Sequence, residues 1–289
     1  MKGRKGDWLS LLSYGTIAKA FAPLNIAKVR FTGGEPLLRP DFSEIVGVFS
    51  KHMPSTKLAV TTNGHHLGQK LLSLKSSGLS SITAHIDSLD GEKYKKLMGK
   101  YELCELLDSI DVANQEMMEV KINMVVQKGV NDDELIDFLK YSIKTGVQVR
   151  FIELMNTGSA KQYTNRVFMS KADILDKLTL AGAVEKIGRA KAEDPAVLYK
   201  FKPMDVIFGV IASETEKFYF DCNRLRLSAE GSISGCLYQG DKMSLSKALQ
   251  KGAGEYEIRN MLSEAINAKR SFHPTIAATS GFSMSQIGG

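Results

Sequence analysis

The sequence predicts an α/β fold built around a parallel sheet. Short apolar segments, each followed by helical periodicity, recur along the first half of the chain. Strands that alternate with helices are joined by right-handed crossovers and pair in parallel. A chain of 289 residues with 43% hydrophobic content is long enough to bury one large core. The predicted strands cover residues 28–32, 57–62, 81–86, 120–126 and 148–154.

The helices and the later segments follow in chain order. The acidic stretch NDDEL suits a helix N-terminus, and Leu135, Phe138 and Leu139 have the spacing of one helical face. Regularity fades over residues 158–206, which predicts a long connection with one helix at about 171–178. The chain then resumes with the apolar stretch DVIFGVIAS, and further helices precede a glycine-ended tail.

Composition and charge exclude several classes of protein. No segment has the roughly 18 uninterrupted apolar residues of a membrane helix, and the first residues lack the apolar core and cleavage site of a secretory signal. We therefore expect a soluble cytoplasmic protein with no membrane partner. The formal charge of +6 favours an anionic partner. Because Lys and Arg are dispersed along the chain, nucleic acid is only one option beside a nucleotide or phosphate.

The stretch VRFTGGEPLLRPD places two adjacent glycines, Gly33 and Gly34, after the first strand. Two explanations stay open, a tight turn or a close approach of the backbone to a ligand. Polar residues also follow other strands, in TTNG, HIDSLD and RFIELMNTG, and Lys121 lies within the fourth strand. Since ligands bind at the carboxyl ends of parallel strands, the pattern predicts one pocket there.

Seven motifs in order along the chain resemble those of the MoaA-type GTP 3′,8-cyclase family, in the radical S-adenosylmethionine (SAM) superfamily. They are KVRFTGGEPLLRPDF, VTTNG, DSLD, VKINMVVQKGVNDDEL, RFIELM, CNRLRLSAEG and the terminal GG. The resemblance implies an α/β fold, an incomplete (β/α) barrel over residues 1–157. It implies a connection and a C-terminal α+β appendage over residues 158–289, with the GTP and second-cluster region. Family members place SAM and one cluster at one end of the barrel, and GTP and a second cluster at the other.

The resemblance also implies ligands for individual residues. SAM is expected at Gly33, Gly34, Glu35, Thr61, His85 and Met155, and GTP at Lys28, Arg30, Thr32, Lys121, Arg150, Arg224 and Arg226. From the residues alone, Arg224 and Arg226 alternate with leucines, which predicts that both lie on one face of a strand. That face would either bind a triphosphate or be exposed to solvent. Lys121 and Arg150 lie in apolar strands, where the alternative to a bound anion is an internal ion pair.

The chain departs from the family at both [4Fe–4S] clusters. The C-x3-C-x2-C loop of the first cluster, with its βα unit, is missing from this sequence. In the C-x2-C-x13-C pattern of the second cluster, Tyr219 takes the first ligand position, ahead of Cys222 and Cys236. Two cysteines fall short of the three or four that such a cluster takes. Cys104 is predicted to be a buried structural residue on a helix, and His85 stands where the family has serine.

Two functions therefore stay open. The first is a nominal GTP 3′,8-cyclase, a radical SAM lyase for the first step of molybdenum cofactor biosynthesis, impaired or inactive as this sequence stands. The alternative is a non-catalytic nucleotide-binding relative or a decayed gene product. The resemblance implies GTP as the partner, no nucleic acid, and cyclic pyranopterin monophosphate synthase as the downstream enzyme. The sheet edge left by the missing unit predicts a homodimer or poor solubility.

Overall fold

The computed structural model describes residues 8–99, 102–156, 164–216, 222–235 and 243–270. The α-helices in this part of the chain are α1 Leu11–Phe21, α2 Phe42–His52, α3 Leu67–Ser76, α4 Gly91–Met98, α5 Leu103–Gln115, α6 Leu135–Thr145, α7 Thr164–Val167, α8 Lys171–Ala181, α9 Leu245–Gln250 and α10 Glu255–Arg270. Short 3-10 helices cover Ala22–Leu24, Pro36–Leu38, Asp132–Glu134 and Lys202–Met204.

The strands are β1 Lys28–Phe31, β2 Lys57–Thr62, β3 Ser81–His85, β4 Glu119–Val126, β5 Gln148–Glu153, β6 Val184–Gly188, β7 Val197–Phe201, β8 Val206–Ile211, β9 Arg226–Leu227, β10 Ser232–Ser234 and β11 Met243–Ser244. The chain divides into two compact units. Unit 1 comprises Met1–Val60, Leu72–Ser80 and Asn223–Gly289, and unit 2 comprises Thr61–Leu71 and Ser81–Cys222. The predicted division between residues 157 and 158 falls outside the described residues and stays a prediction.

Unit 2 is built on a sheet with the strand order β3-β4-β5-β8-β7-β6. The first four strands are parallel, and β7 and β6 continue the sheet in antiparallel pairing. Along β4, buried residues alternate strictly with half-buried ones, which is the period-two pattern of a strand with one covered face. The covered face is held by aromatic packing, with ring centroids of Phe151 and Phe208 5.7 Å apart and those of Phe138 and Phe151 6.5 Å apart.

Unit 1 pairs β1 in parallel with the start of β2, from Lys28 opposite Lys57 to Phe31 opposite Val60. The ring of Phe31 meets Phe42 and Phe49 of α2 edge-on, at centroid distances of 5.4 and 5.5 Å. Strands β9, β10 and β11 form a small antiparallel sheet in the same unit. None of the described helices has the length and apolar character needed to cross a membrane.

The α/β prediction is confirmed, and the five predicted strands agree with β1 to β5 within one residue at each end. The prediction of a connection with one helix over residues 158–206 is wrong in part. The predicted helix is present as α8, but the short helix α7 and the strands β6 and β7 also lie there. Strand β7 pairs with β8, and β6 pairs with β7. The apolar stretch DVIFGVIAS forms β8, which pairs in parallel with β5.

Candidate functional site

One face of the unit 2 sheet carries polar side chains in two rows. The first row pairs Thr83, Lys121 and Gln148 on β3, β4 and β5, and the second continues with His85, Asn123, Arg150 and Gly209 on β8. Residues paired across neighbouring strands lie on the same side of a sheet. We call this surface the polar face. It is defined by the side chains of Thr83, His85, Lys121, Asn123, Gln148 and Arg150.

The two rows lie at different heights along the strands. Asn123 is two positions beyond Lys121, a distance of about 7 Å at the usual rise per residue. His85 is the last residue of β3, whereas Lys121 is only the third residue of β4. The sequence-based grouping of Lys121 with the carboxyl-end residues therefore needs correction, because Lys121 lies toward the amino end of its strand.

His85 forms an ion pair with a buried aspartate. Its Nε2 lies 3.0 Å from Oδ1 of Asp87, and that oxygen also accepts a hydrogen bond of 2.8 Å from the backbone N–H of Val125. Burial by itself would lower the pKa of His85, but the charge and hydrogen bond of Asp87 outweigh it and raise the pKa above the usual histidine value. The imidazole at this end of the sheet therefore keeps its positive charge to a higher pH than an ordinary histidine does, and a serine could not carry such a charge.

Asp87 is itself fixed by Asn131, whose side chain is fully buried. The amide Nδ2 of Asn131 donates to the carbonyl oxygens of Asp87 at 2.7 Å and Val125 at 2.9 Å, and its Oδ1 accepts from the N–H of Gln127 at 2.7 Å. Three hydrogen bonds from one side chain hold the turn after β3 against the end of β4.

Two buried polar atoms near this ion pair accept or donate no hydrogen bond within the described residues. They are Oδ1 of Asn123, next to His85 in the second row, and Oη of Tyr94 on α4. Burial and the charge of Asp87 raise the pKa of Tyr94 to about 12. The Tyr94 ring meets His65 edge-on at 6.4 Å, and burial lowers the pKa of that histidine. Buried polar atoms are normally paired, so Oδ1 of Asn123 is an acceptor on the polar face that a hydrogen-bond donor of a ligand could satisfy.

At the amino ends of β4 and β5 the surface opens into a cavity of about 350 Å³. Lys121 and Glu119 both line it, and Lys121 Nζ lies 2.6 Å from Glu119 Oε1. This ion pair is the alternative that the sequence left open for Lys121. Arg150 lies over Gly209, where an added Cβ would be 3.1 Å from Arg150 Cγ. The glycine makes room for the arginine stem, a contact that only the sheet register reveals.

Met155 follows β5, whose last residue carries a buried carboxylate. Glu153 is fully buried, and its side chain accepts hydrogen bonds from the N–H groups of Lys171 at 2.6 Å, Glu214 at 2.8 Å and Thr215 at 2.9 Å. These bonds fix the end of β5 to the start of α8 and to the turn after β8. Thr61 is the fifth residue of β2 and, like His85 and Met155, belongs to unit 2.

The other predicted ligand residues belong to unit 1. Lys28 and Arg30 lie on β1 and are exposed, and Thr32 follows the strand. Gly33 has a φ of +148°, a backbone conformation that favours glycine, and a Cβ there would meet no atom within 4 Å. Glu35 caps the following 3-10 helix by accepting from the N–H of Leu37 at 2.9 Å. Whether these residues converge with those of unit 2 stays a prediction.

The predictions for the C-terminal region and for the cysteines have mixed outcomes. Arg226 begins β9, opposite Ser234, but Arg224 precedes the strand, and its carbonyl accepts a hydrogen bond of 2.6 Å from Lys269 Nζ. The prediction of one strand carrying both arginines is therefore wrong. Cys104 lies on α5 as predicted but is exposed, so its predicted burial is wrong. Cys222 is half-buried, whereas Tyr219 and Cys236 lie outside the described residues.

Two family models match this chain. Residues 1–142 match the model of the radical SAM superfamily, and residues 147–275 match that of Molybdenum Cofactor Synthesis C. With the mostly parallel α/β sheet, these matches define a protein of the radical SAM class. A GTP 3′,8-cyclase of Hydrogenovibrio crunogenus is 33% identical over 279 residues, 94% of this chain and 83% of that protein. The chain belongs to this MoaA-type GTP 3′,8-cyclase family.

Solved structures support the fold. SuiB of Streptococcus suis superimposes with a TM-score of 0.57 at 14% identity, over 87% of this chain and 62% of SuiB. SuiB bound to S-adenosylmethionine gives a TM-score of 0.56 at 14% identity, over 87% of this chain and 61% of that one. The chain thus spans about three fifths of the length of SuiB. At this level of identity the likeness concerns the fold alone.

Proposed function

We propose that this chain binds GTP and SAM as a nominal GTP 3′,8-cyclase of molybdenum cofactor biosynthesis, impaired or inactive as this sequence stands. The supporting observation is the polar face of unit 2. Lys121 lies in one row, and Arg150, Asn123 and His85 lie in the next. The cations Lys121 and Arg150 lie beside the hydrogen-bonding side chains of Asn123 and His85. This arrangement suits two neighbouring ligands, one that carries phosphates and one that carries a nucleoside. The relative from Hydrogenovibrio is named for its action on GTP.

In this proposal Lys121 and Arg150 bind phosphate oxygens of GTP through charge-assisted hydrogen bonds. Arginine presents a planar fork that suits phosphate, and Gly209 leaves room for the Arg150 stem, since a Cβ added there would lie 3.1 Å from Arg150 Cγ. We propose that unit 1 adds Lys28, Arg30, Thr32, Arg224 and Arg226.

The residues of unit 2 fit the nucleoside part of SAM. The orphaned Oδ1 of Asn123 needs a donor, and a ribose hydroxyl supplies one. His85, in the neighbouring position, offers an N–H that the Asp87 ion pair does not use. Thr61, Met155 and the Gly33–Gly34–Glu35 turn are proposed to complete the site. When bound, SAM supplies the 5′-deoxyadenosyl group of radical SAM chemistry.

The cysteines of this sequence do not fit the first [4Fe–4S] cluster. The sequence holds three cysteines, none in the C-x3-C-x2-C spacing. The described residues contain no group of three or more His, Cys, Asp or Glu side chains that could hold a metal ion. For the second cluster only Cys222 and Cys236 remain as thiolate ligands. We therefore derive no step through a cluster, and we expect anaerobic reconstitution to give substoichiometric iron and no SAM cleavage.

The shortage of cysteine ligands for a cluster favours a second candidate function, that of a nucleotide-binding relative without catalysis. In either case nucleotide binding is retained, and in the catalytic case the product would pass to cyclic pyranopterin monophosphate synthase. Formation of stoichiometric 5′-deoxyadenosine by the purified chain would favour catalysis and would show that ligands for a cluster exist.

Isothermal titration with GTP tests the proposed site. Replacing Arg224 and Arg226 together by alanine should remove more than about 2 kcal/mol of binding free energy, the loss expected for charged hydrogen bonds without partners. The matched control replaces Lys200 and Lys202 together by alanine, which removes the same net charge. These lysines form surface ion pairs with Asp205 and Glu185, respectively. Equal affinities of all three proteins would contradict the proposal.

A homodimer through β1 is also proposed. Among the described strands β1 pairs with β2 alone, so its other edge is open to a further strand. Size-exclusion chromatography should then show a concentration-dependent dimer. A monomer at every concentration would contradict this.

A further inference from the structure

Among the described residues, one cation and one anion line the cavity at the amino ends of β4 and β5. Lys121 and Glu119 are two residues apart on β4 and therefore lie on the same face of the sheet. Their side chains are 23% and 35% exposed, and the 2.6 Å contact joins the ammonium to the carboxylate. The uncharged lining includes Asn114, Gly146 and Gln148. The charge of Lys121 is thus neutralised within the cavity that a phosphate would enter.

We propose that Glu119 is a specificity-determining residue that competes with phosphate for Lys121. The inference rests on the proposed function, because it assumes that Lys121 binds the phosphates of GTP. A carboxylate and a phosphate oxygen seek the same ammonium donors, and two anions around one cation repel each other. Phosphate can bind only when the Glu119 side chain turns away. Its partial exposure leaves room for that rotation.

Competition of this kind selects ligands by their charge near Lys121. A polyphosphate brings enough charge to displace Glu119, whereas the guanosine part gains nothing from displacement. Glu119 thereby weakens the binding of every phosphate ligand that reaches Lys121 and does not affect ligands without phosphate.

The test compares GTP, inorganic triphosphate and guanosine in isothermal titrations of the full chain. Glu119→Gln keeps the shape and removes the charge, and we expect about fivefold tighter binding of GTP and triphosphate, the upper range for a partly exposed ion pair. Guanosine affinity should not change. The control Glu185→Gln removes the same charge from β6, where Glu185 forms an exposed ion pair with Lys202, and should leave all three affinities unchanged.

Lys121→Met separates this inference from the proposed function. The gain from Glu119→Gln should vanish in the Lys121→Met background, because Glu119 acts through the lysine. If Lys121→Met weakens GTP binding and Glu119→Gln does not strengthen it, the phosphate site stands and the competition is wrong. If neither variant changes GTP affinity, or if no variant binds GTP, the phosphate site itself is wrong and the inference fails with it. A second variant, Glu119→Ala, must agree with Glu119→Gln.

Discussion

The variant Gly209→Ala should disturb the position of Arg150 more than it lowers the stability of the sheet. The added Cβ would lie 3.1 Å from Arg150 Cγ and 3.2 Å from Ala196 Cβ, so each neighbour must move by a few tenths of an ångström. Such overpacking costs about 1–2 kcal/mol. Replacing glycine by alanine in a strand returns about 0.5–1 kcal/mol of backbone entropy. The net loss of unfolding free energy should therefore stay below about 1.5 kcal/mol.

The effect on ligand binding should be larger than the effect on stability. Ala196 precedes β7 and has no side-chain freedom, so the flexible Arg150 stem takes up the displacement. GTP affinity should fall several-fold while urea unfolding changes little. The control Gly47→Ala on α2 meets no atom within 4 Å and should stabilise the fold by about 0.5–1 kcal/mol. Unchanged GTP affinity in Gly209→Ala, or a loss above about 3 kcal/mol in stability, would refute this reasoning.

Three further variants test the polar side chains around Asp87 in unit 2, namely Tyr94, Asn131 and His85. Tyr94→Phe removes a buried hydroxyl without a partner in the described residues, so urea unfolding should show equal or higher stability; a loss above about 1 kcal/mol would mean that Oη is bonded. Asn131→Ala removes three hydrogen bonds and should cost about 3 kcal/mol in the same assay. Because Asp87 raises the pKa of His85 in the folded state, the pair stabilises the fold below the ordinary histidine pKa of about 6.5, and this contribution is lost as pH rises through the raised value. His85→Gln should therefore lower stability more at about pH 5.5 than at about pH 9, and a pH-independent loss would contradict the ion pair.

The parallel strands could be predicted because their apolar runs are compact and each is followed by helical periodicity. The sequence did not predict strands β6 and β7, for a physical reason. All five residues of β6 are half-buried or exposed, so the strand lacks the apolar signal of its neighbours. In β7 the buried residues Val197, Tyr199 and Phe201 alternate with less buried ones, but the apolar Leu198 between them obscures that alternation in the sequence. Cys104 was misplaced because α5 buries Leu103, Leu106 and Ile110, and Cys104 falls off that face.

The site could be predicted only in part, since motif positions specify residues and not their partners. The ion pair of His85 with Asp87 joins residues two apart and could have been suspected from the sequence. The orphaned Asn123 amide and the Gly209 contact with Arg150 depend on strand register, which long-range packing determines. Arg224 and Arg226 alternate as a strand would, but pairing in the small sheet begins only at Arg226.

Titration of the parent chain with GTP at low and high salt tests the central claim most directly. Binding through several arginines and lysines predicts a micromolar or weaker dissociation constant, a modest preference over ATP, and strong weakening as salt screens the charges. The absence of GTP heat at low salt, or an affinity that does not change with salt, would contradict the account. In that case the polar face and CNRLRL would be inherited structure without a nucleotide site.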